Sequence, residues 1–105
     1  MASSKEYLQF ILDQLSDLED VSWRAMMGEY ILYVQQKVVG GIYDDRLLVK
    51  PTKSALALVP QAPREKPYEG AAEMLLVEQV DDSAFLKKLF LALAEDLPAP
   101  KKRKT

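Results

Sequence analysis

The sequence predicts an α+β domain of two layers, in which helices pack on one face of an antiparallel sheet of about five strands. Three features lead to this prediction. Apolar residues recur at helical spacing near both ends of the chain, they alternate with a period of two in its middle, and short turn signals separate the alternating segments. Strands joined by such short turns must be antiparallel neighbours. The predicted order of elements is α-β-β-β-β-α-β-α.

The helices are predicted from their apolar stripes and their capping residues. The first helix, of about four turns, has a stripe made of Leu8, Ile11, Leu15 and Leu18. Thr52 can cap a short second helix, which Pro60 closes. Asp81-Asp82-Ser83 can cap the last helix, and Pro98 ends it. The apolar face of this helix consists of Phe85, Leu86, Leu89, Phe90 and Leu93.

The strands are predicted where apolar and polar residues alternate between turns. They cover residues 21–27, 30–34, 37–43, 46–50 and 72–79, with turns at Gly28-Glu29, Gln35-Gln36 and Asp44-Asp45. Gly40-Gly41 inside the third strand indicates a bulge or a close approach of backbones. Residues 60–67 contain three prolines and are predicted to form a loop, not an element.

The second predicted strand carries bulky apolar groups on both faces. Tyr30, Leu32 and Val34 share one face, while Ile31 and Tyr33 share the other. An antiparallel sheet with one face in water alternates more cleanly than this. We therefore expect the second face to be covered in part by the proline-rich loop, or to meet another subunit or partner.

The composition limits the classes of protein to consider. The chain of 105 residues is 49% apolar and 29% charged, which suits one domain with its own core, and we expect that domain to span residues 1–98. It has no run of about 18 apolar residues, and Lys5 and Glu6 stand where a secretion signal would be apolar. These features predict a cytoplasmic protein that does not contact membranes.

The chain contains neither Cys nor His. Their absence excludes zinc fingers, thiolate catalysis, disulfide scaffolds and every triad that depends on His. The acidic pairs Asp44-Asp45 and Asp81-Asp82 invite an acid-pair or Mg²⁺ interpretation, but turn and cap roles already account for both. We predict no catalytic residues, no metal site and no cofactor.

The basic residues are concentrated at the C-terminus. Four of the 14 lie in the last five positions, which leaves 10 basic and 16 acidic residues in the body. An acidic body argues against a nucleic-acid-binding face. We expect residues 99–105 to be a solvated, disordered tail. The alternative is weak contact with nucleic-acid phosphates through Lys101, Lys102, Arg103 and Lys104.

Arg24 is the first candidate for a binding residue because it interrupts an apolar strand. Its guanidinium could lie near Tyr33 and Lys50 on the open sheet face and bind a carboxylate or phosphate with two hydrogen bonds. The alternative is structural: the stem of Arg24 packs on Tyr33 and its charge pairs with an acidic residue on a neighbouring strand. Tyr68 could extend a recognition surface. Alternatively, its ring could lie at the edge of the core with its hydroxyl group in water.

The segment 24–33, RAMMGEYILY, resembles the signature of the TfoX N-terminal domain family, and so does Asp44-Asp45-Arg46 followed by a strand that ends in Lys50. Pro67-Tyr68-Glu69-Gly70 is similar to a group of short, stand-alone members that lack the C-terminal domain of the competence regulators. Glu29 departs from the family pattern, which commonly has a second Gly there. The resemblance implies an α+β fold like that of type III secretion chaperones.

The same resemblance implies a non-catalytic regulatory domain that acts by contact with a protein partner, as in the regulation of competence genes. The partner is unidentified, and a homodimer through an apolar sheet face is one form such contact could take. Two alternatives remain. One is a binder of a small anion, or an enzyme, that uses Arg24, Tyr33 and Lys50. The other is nucleic-acid association through the basic tail.

Overall fold

The computed structural model describes residues 4–98 and confirms an α+β fold. Its elements in chain order are α1 (Lys5–Gln14), β1 (Val21–Met26), β2 (Glu29–Val34), β3 (Lys37–Tyr43), β4 (Arg46–Val49), α2 (Lys53–Leu58), β5 (Arg64–Glu65), β6 (Met74–Val77) and α3 (Ser83–Asp96). The strands form one sheet in the order β1-β2-β3-β4-β6-β5, and each neighbouring pair is antiparallel. The predicted order of elements is therefore confirmed, with one strand more than expected.

The additional strand, β5, lies in the segment that was predicted to be a loop. Arg64 pairs with Leu75 and Glu65 pairs with Met74, and the N–H of Leu76 donates to the carbonyl oxygen of Pro63 over 2.9 Å. Proline favours an extended residue before it, and an extended segment can pair with the edge of β6. The loop prediction was wrong here because the pairing depends on a strand that is distant in sequence.

Two-residue turns join the first four strands. Both central residues of each turn have positive φ, as a type I′ hairpin turn requires; they are Met27 and Gly28, Gln35 and Gln36, and Asp44 and Asp45. The predicted turn at Gly28-Glu29 was wrong by one residue, since Met26 pairs with Glu29 across the first hairpin. This register places Leu32 and Val34 on the buried face, and a slip of one residue would reverse their direction.

Capping side chains define where the helices begin. The hydroxyl of Ser4 accepts from the N–H of Tyr7 at the start of α1. Thr52 accepts from Ala55 N–H at 3.2 Å and caps α2, and Asp82 accepts from Phe85 N–H at 3.0 Å and caps α3. The caps predicted for the second and third helices are confirmed. The first helix is shorter than predicted because it ends at Gln14, although Leu15 remains buried beyond it.

The core lies between the helices and one face of the sheet. All three helices contribute to it, which confirms the two-layer prediction. Its strand residues are Leu32, Val34, Val39, Ile42, Leu47, Val49, Leu75 and Val77, and its helical residues include Leu8, Ile11, Ala55, Leu86, Leu89, Phe90 and Leu93. The opposite face of the sheet, called the open face below, carries no helix. It carries Arg24, Ile31, Tyr43 and Leu48, whose neighbours in sequence face the other way.

Gly40 and Gly41 allow close packing in the middle of the sheet, as predicted. The register between β2 and β3 shifts at Leu32 and Tyr33, which marks a bulge. A Cβ on Gly40 would lie 2.2 Å from the carbonyl oxygen of Leu48, and a Cβ on Gly41 would lie 2.7 Å from the Tyr43 ring. Neither position has room for a side chain.

Between residues 4 and 98, none of the helices has the length and apolar character needed to cross a membrane.

Candidate functional site

A cleft on the open face is the candidate site that brings together two of the binding residues predicted from the sequence. Its volume is about 520 Å³, and the segment 66–73 after β5 closes it on one side. Lys50 and Tyr68, both predicted from the sequence as binding residues, lie at this cleft. The other lining residues are Val38, Gly40, Tyr43, Pro51, Thr52, Pro67, Ala71, Ala72, Glu73, Met74 and Leu97. The expectation that the proline-rich segment covers part of the second sheet face is therefore confirmed.

Tyr43 forms the floor of the cleft. It is buried although it lies on the face without helices, and so is its neighbour Leu48. The Tyr43 ring lies 6.3 Å from the ring of Tyr68, at an interplanar angle of 55°. Tyr68 remains 59% exposed, so its ring is available to a molecule that enters the cleft. Two aromatic groups thus line the cleft, one fixed in the sheet and one at the rim.

The segment that closes the cleft is held at its start and in its middle. At its start, the Arg46 guanidinium forms a salt bridge with the Glu65 carboxylate on the open face, and Arg46 Nε donates to the carbonyl oxygen of Tyr43 over 3.1 Å. In its middle, the N–H of Ala71 donates to the carbonyl oxygen of Tyr68, with Gly70 at a φ of +89°. These contacts fix where Tyr68 stands relative to Tyr43.

Lys50 supplies the positive charge of the cleft. It follows β4, where its N–H donates to the carbonyl oxygen of Val39 over 2.9 Å and its own carbonyl oxygen accepts from Thr52 N–H. These backbone bonds hold the Cα of Lys50 at the end of β4. Glu73 is the acidic residue among the lining groups. The cleft therefore offers an apolar wall, one ammonium group and one carboxylate.

The pKa of Tyr43 argues against a role for this residue as a general base near neutral pH. Burial raises the pKa of Tyr43 above its ordinary value of 10.0, and the neighbouring Tyr68, Glu29 and Tyr33 raise it further. A general base that works near neutral pH needs a pKa shifted toward 7, and this shift has the opposite direction. Near neutral pH Tyr43 keeps its proton and can only donate or accept a hydrogen bond.

Arg24 and Tyr33 lie together at a different place. They line a shallow pocket of about 340 Å³ near the edge of the sheet, with Ser22, Trp23 and Gln36. Arg24 pairs with Ile31 and Tyr33 pairs with Ser22, so the two side chains are diagonal neighbours on the open face. Arg24 forms no salt bridge with any residue from 4 to 98. The structure places Arg24 and Tyr33 in one pocket and Lys50 and Tyr68 in another, and their roles in binding stay predictions.

The acidic pairs have structural contacts. The N–H of Asp44 donates to the Glu29 carboxylate, and Asp45 Oδ1 accepts from the N–H of Ser4 over 2.8 Å. Asp82 caps α3. No group of three or more possible metal ligands converges within residues 4–98. The candidates Lys101, Lys102, Arg103 and Lys104 lie outside the described residues.

Sequence reasoning missed that Tyr43 is the floor of the cleft. Tyr43 was not predicted as a site residue, because alternation within a strand does not show which face a distant loop will cover. The one available signal was Tyr68 in the segment Pro67-Tyr68-Glu69-Gly70. It is an aromatic residue between turn-forming residues and belongs to neither a predicted helix nor a predicted strand.

Comparison with known proteins places these features in a family. The chain matches the model of the TfoX N-terminal domain over residues 13–92. It is also 36% identical over 105 residues to an uncharacterised 12.7 kDa protein in the trpE 5′ region of Spirochaeta aurantia, with 99% of this chain and 91% of that protein covered. No solved structure matches the chain.

Proposed function

Because the chain belongs to the TfoX N-terminal domain family, we propose that it is a non-catalytic regulatory domain that acts by binding another protein. The family supports the regulatory part of this proposal. The contact part depends on one observation, the cleft in which the exposed ring of Tyr68 lies 6.3 Å from the buried ring of Tyr43.

The composition of the cleft suits a protein partner. Aromatic groups are enriched at the centres of protein interfaces, where they supply apolar area and keep a polar tip. Tyr43, Tyr68 and Met74 provide that area. The cleft volume can hold one large side chain of a partner with its neighbouring residues. Lys50 at the cleft favours a partner segment in which a carboxylate stands next to an apolar side chain.

Site-specific photo-cross-linking tests this proposal. A photoreactive phenylalanine analogue replaces Tyr68 in the cells that encode the protein, and in a second strain it replaces Lys88, which is exposed on α3. We expect a discrete cross-linked protein from position 68, none from position 88, and strong reduction of the adduct when Lys50→Glu is introduced. Adducts of equal yield from both positions, or no adduct from position 68, would contradict the proposal.

The regulatory part needs a separate measurement. Transcripts are compared between a deletion strain and strains complemented with the wild type, Tyr68→Ala or Lys88→Ala. We expect the wild type and Lys88→Ala to restore the same transcripts and Tyr68→Ala to fail, with all three proteins present at equal amounts. Full restoration by Tyr68→Ala would show that the cleft is not the regulatory contact.

A further inference from the structure

Strand β1 is an edge of the sheet that is open to pairing. It has hydrogen-bonded contact with β2 on one side, and no strand of residues 4–98 lies on its other side. All its residues after Val21 are exposed. Its six residues pair with β2 without a bulge, and they include no proline and one charged residue. Proteins usually protect such an edge with prolines, bulges, several charges or a very short strand.

The other edge of the same sheet has this protection. Strand β5 has two residues, Arg64 and Glu65, and both are charged. Pro63 precedes it and Pro67 follows soon after. β1 therefore lacks each of the protective features that β5 has.

The first hairpin determines which backbone groups of β1 point away from the sheet. Met26 and Glu29 flank a two-residue turn, so they form a hydrogen-bonded pair. Hydrogen-bonded pairs alternate along an antiparallel ladder, so Arg24 and Ser22 also direct their N–H and C=O groups toward β2. Val21, Trp23 and Ala25 direct theirs outward. A new strand must therefore bond to these three residues.

We propose that β1 pairs with β1 of a second copy of this chain, antiparallel, with Trp23 opposite Trp23 and Val21 opposite Ala25. In this register all three outward residues form hydrogen-bonded pairs. A shift that sets Trp23 opposite Ala25 leaves Val21 without a partner in the strand and brings the two Arg24 side chains face to face, which is unfavourable for like charges. A shift that sets Trp23 opposite Val21 leaves Ala25 without a partner.

The side chains along β1 are complementary in this register. Trp23 is 42% exposed, and its ring packs edge-on against Tyr30 at 5.5 Å. It lies on the helical side of the sheet, where it borders a groove of about 390 Å³ that α1 lines with Leu8 and Leu12. The Trp23 of the second copy would come against this ring on the same side and cover exposed apolar area.

Charge complementarity also favours a second copy. Arg24, which has no salt bridge within residues 4–98, would lie opposite Ser22 of the second copy. Its long side chain then extends toward Glu19 and Asp20 of that copy, which precede the strand. Met26 and Met27, which are 41% and 96% exposed, would lie beside the segment that precedes β1 in the second copy.

Proline substitution tests the hydrogen bonds of this interface. The N–H of Ala25 points outward, so Ala25→Pro removes a bond to the second copy and leaves the bonds to β2 intact. Ala25→Ser keeps the N–H and is the matched control. Sedimentation velocity of the full chain over a concentration series should show a dimer for the wild type and for Ala25→Ser. For Ala25→Pro we expect the dissociation constant to rise at least about tenfold, with an unchanged far-UV circular dichroism spectrum.

Disulfide cross-linking tests the register. The chain has no Cys, so a single introduced Cys can form only an intermolecular bond. Ser22 and Arg24 of opposite copies form a pair with Cα atoms about 4.5 Å apart, within disulfide range. An oxidised mixture of the Ser22→Cys and Arg24→Cys chains should give mixed dimers. Each variant alone should give few cross-linked dimers. The introduced Cys of one copy then lies diagonal to the same Cys of the other copy, about 7–8 Å away.

Three results would overturn the proposal. They are a wild type that stays monomeric at about 100 µM, a dimer whose dissociation constant Ala25→Pro leaves unchanged, and Arg24→Cys chains that cross-link to each other better than to Ser22→Cys chains. The cleft takes no part in these measurements, so none of these results decides the regulatory proposal.

Discussion

The backbone N–H of Ser4 donates a hydrogen bond of 2.8 Å to the carboxylate of Asp45. This bond joins the start of α1 to the turn between β3 and β4. The same turn is joined to the first hairpin, because the N–H of Asp44 donates to the Glu29 carboxylate. One end of the sheet thus fixes where the first helix begins.

We expect Asp45→Ala to lower the free energy of unfolding by about 1–2 kcal/mol. The substitution removes the acceptor for Ser4 and leaves Ala at a φ of 55°, which Asp and Asn tolerate better. Asp45→Asn keeps an acceptor and should cost less. Urea denaturation measures both losses. Equal stability of the wild type and Asp45→Ala would show that this bond does not hold α1.

The turn between β2 and β3 has a sequence that suits it poorly. Gln35 and Gln36 both have positive φ, at 53° and 66°, where a type I′ turn favours Asn-Gly. We expect the double substitution Gln35→Asn and Gln36→Gly to raise the free energy of unfolding by about 1 kcal/mol, or the Tm by about 4–8 °C. Replacing both residues with Ala is the control, and it should not stabilise the protein. Thermal unfolding that ranks the Ala variant above Asn-Gly would contradict the turn assignment.

Gly40 lies where no side chain fits. A Cβ there would meet the backbone of Leu48 and Val49, and backbone cannot rotate away as a side chain can. We expect Gly40→Ala to destabilise the protein by at least about 1–3 kcal/mol. Gly70→Ala is the comparison, since a Cβ there meets nothing within 4 Å and the cost comes from its φ of +89° alone. Denaturant unfolding should show the larger loss for Gly40→Ala.

Stability should fall in alkaline solution, partly because of Tyr43. Its pKa in the folded protein is raised above 10.0 by burial and by nearby Tyr68, Glu29 and Tyr33. The unfolded chain therefore releases this proton first, so the contribution of Tyr43 is complete below pH 10.0 and is lost as the pH rises through the folded pKa. Tyr43→Phe should make the alkaline loss of stability smaller than it is in the wild type. Urea denaturation of both proteins on both sides of pH 10.0 checks this, and equal pH dependence in the two would refute it.

Local features of the sequence predicted the structure well. The caps at Thr52 and Asp82 were predicted correctly because a cap depends on residues within one turn of the helix. The turn at Met27-Gly28 was displaced by one residue in the prediction, because Gly suits either centre of a primed turn and the register of β1 against β2 decides between them.

Features that depend on distant contacts were predicted less well. β5 forms only where β6 offers an edge, and no local pattern shows this. Lys50 and Tyr68 were chosen from residue type and family resemblance, and the cleft they share exists because segment 66–73 lies beside Tyr43 and lines it. Arg24 was placed on the open face by alternation, but the unpaired backbone of its strand became visible only in the sheet order.

The hairpin connections between β1 and β4 also bear on how the chain folds. Each of these strands pairs with the next one in sequence, so little loop entropy is lost when they meet. The contact of β4 with β6 and of α1 with α3 spans much longer loops. We expect substitutions such as Ile42→Val in the hairpins to slow folding, and Leu8→Ala in α1 mainly to speed unfolding, as stopped-flow kinetics would measure. The meander would then be the folding nucleus, onto which the terminal helices condense.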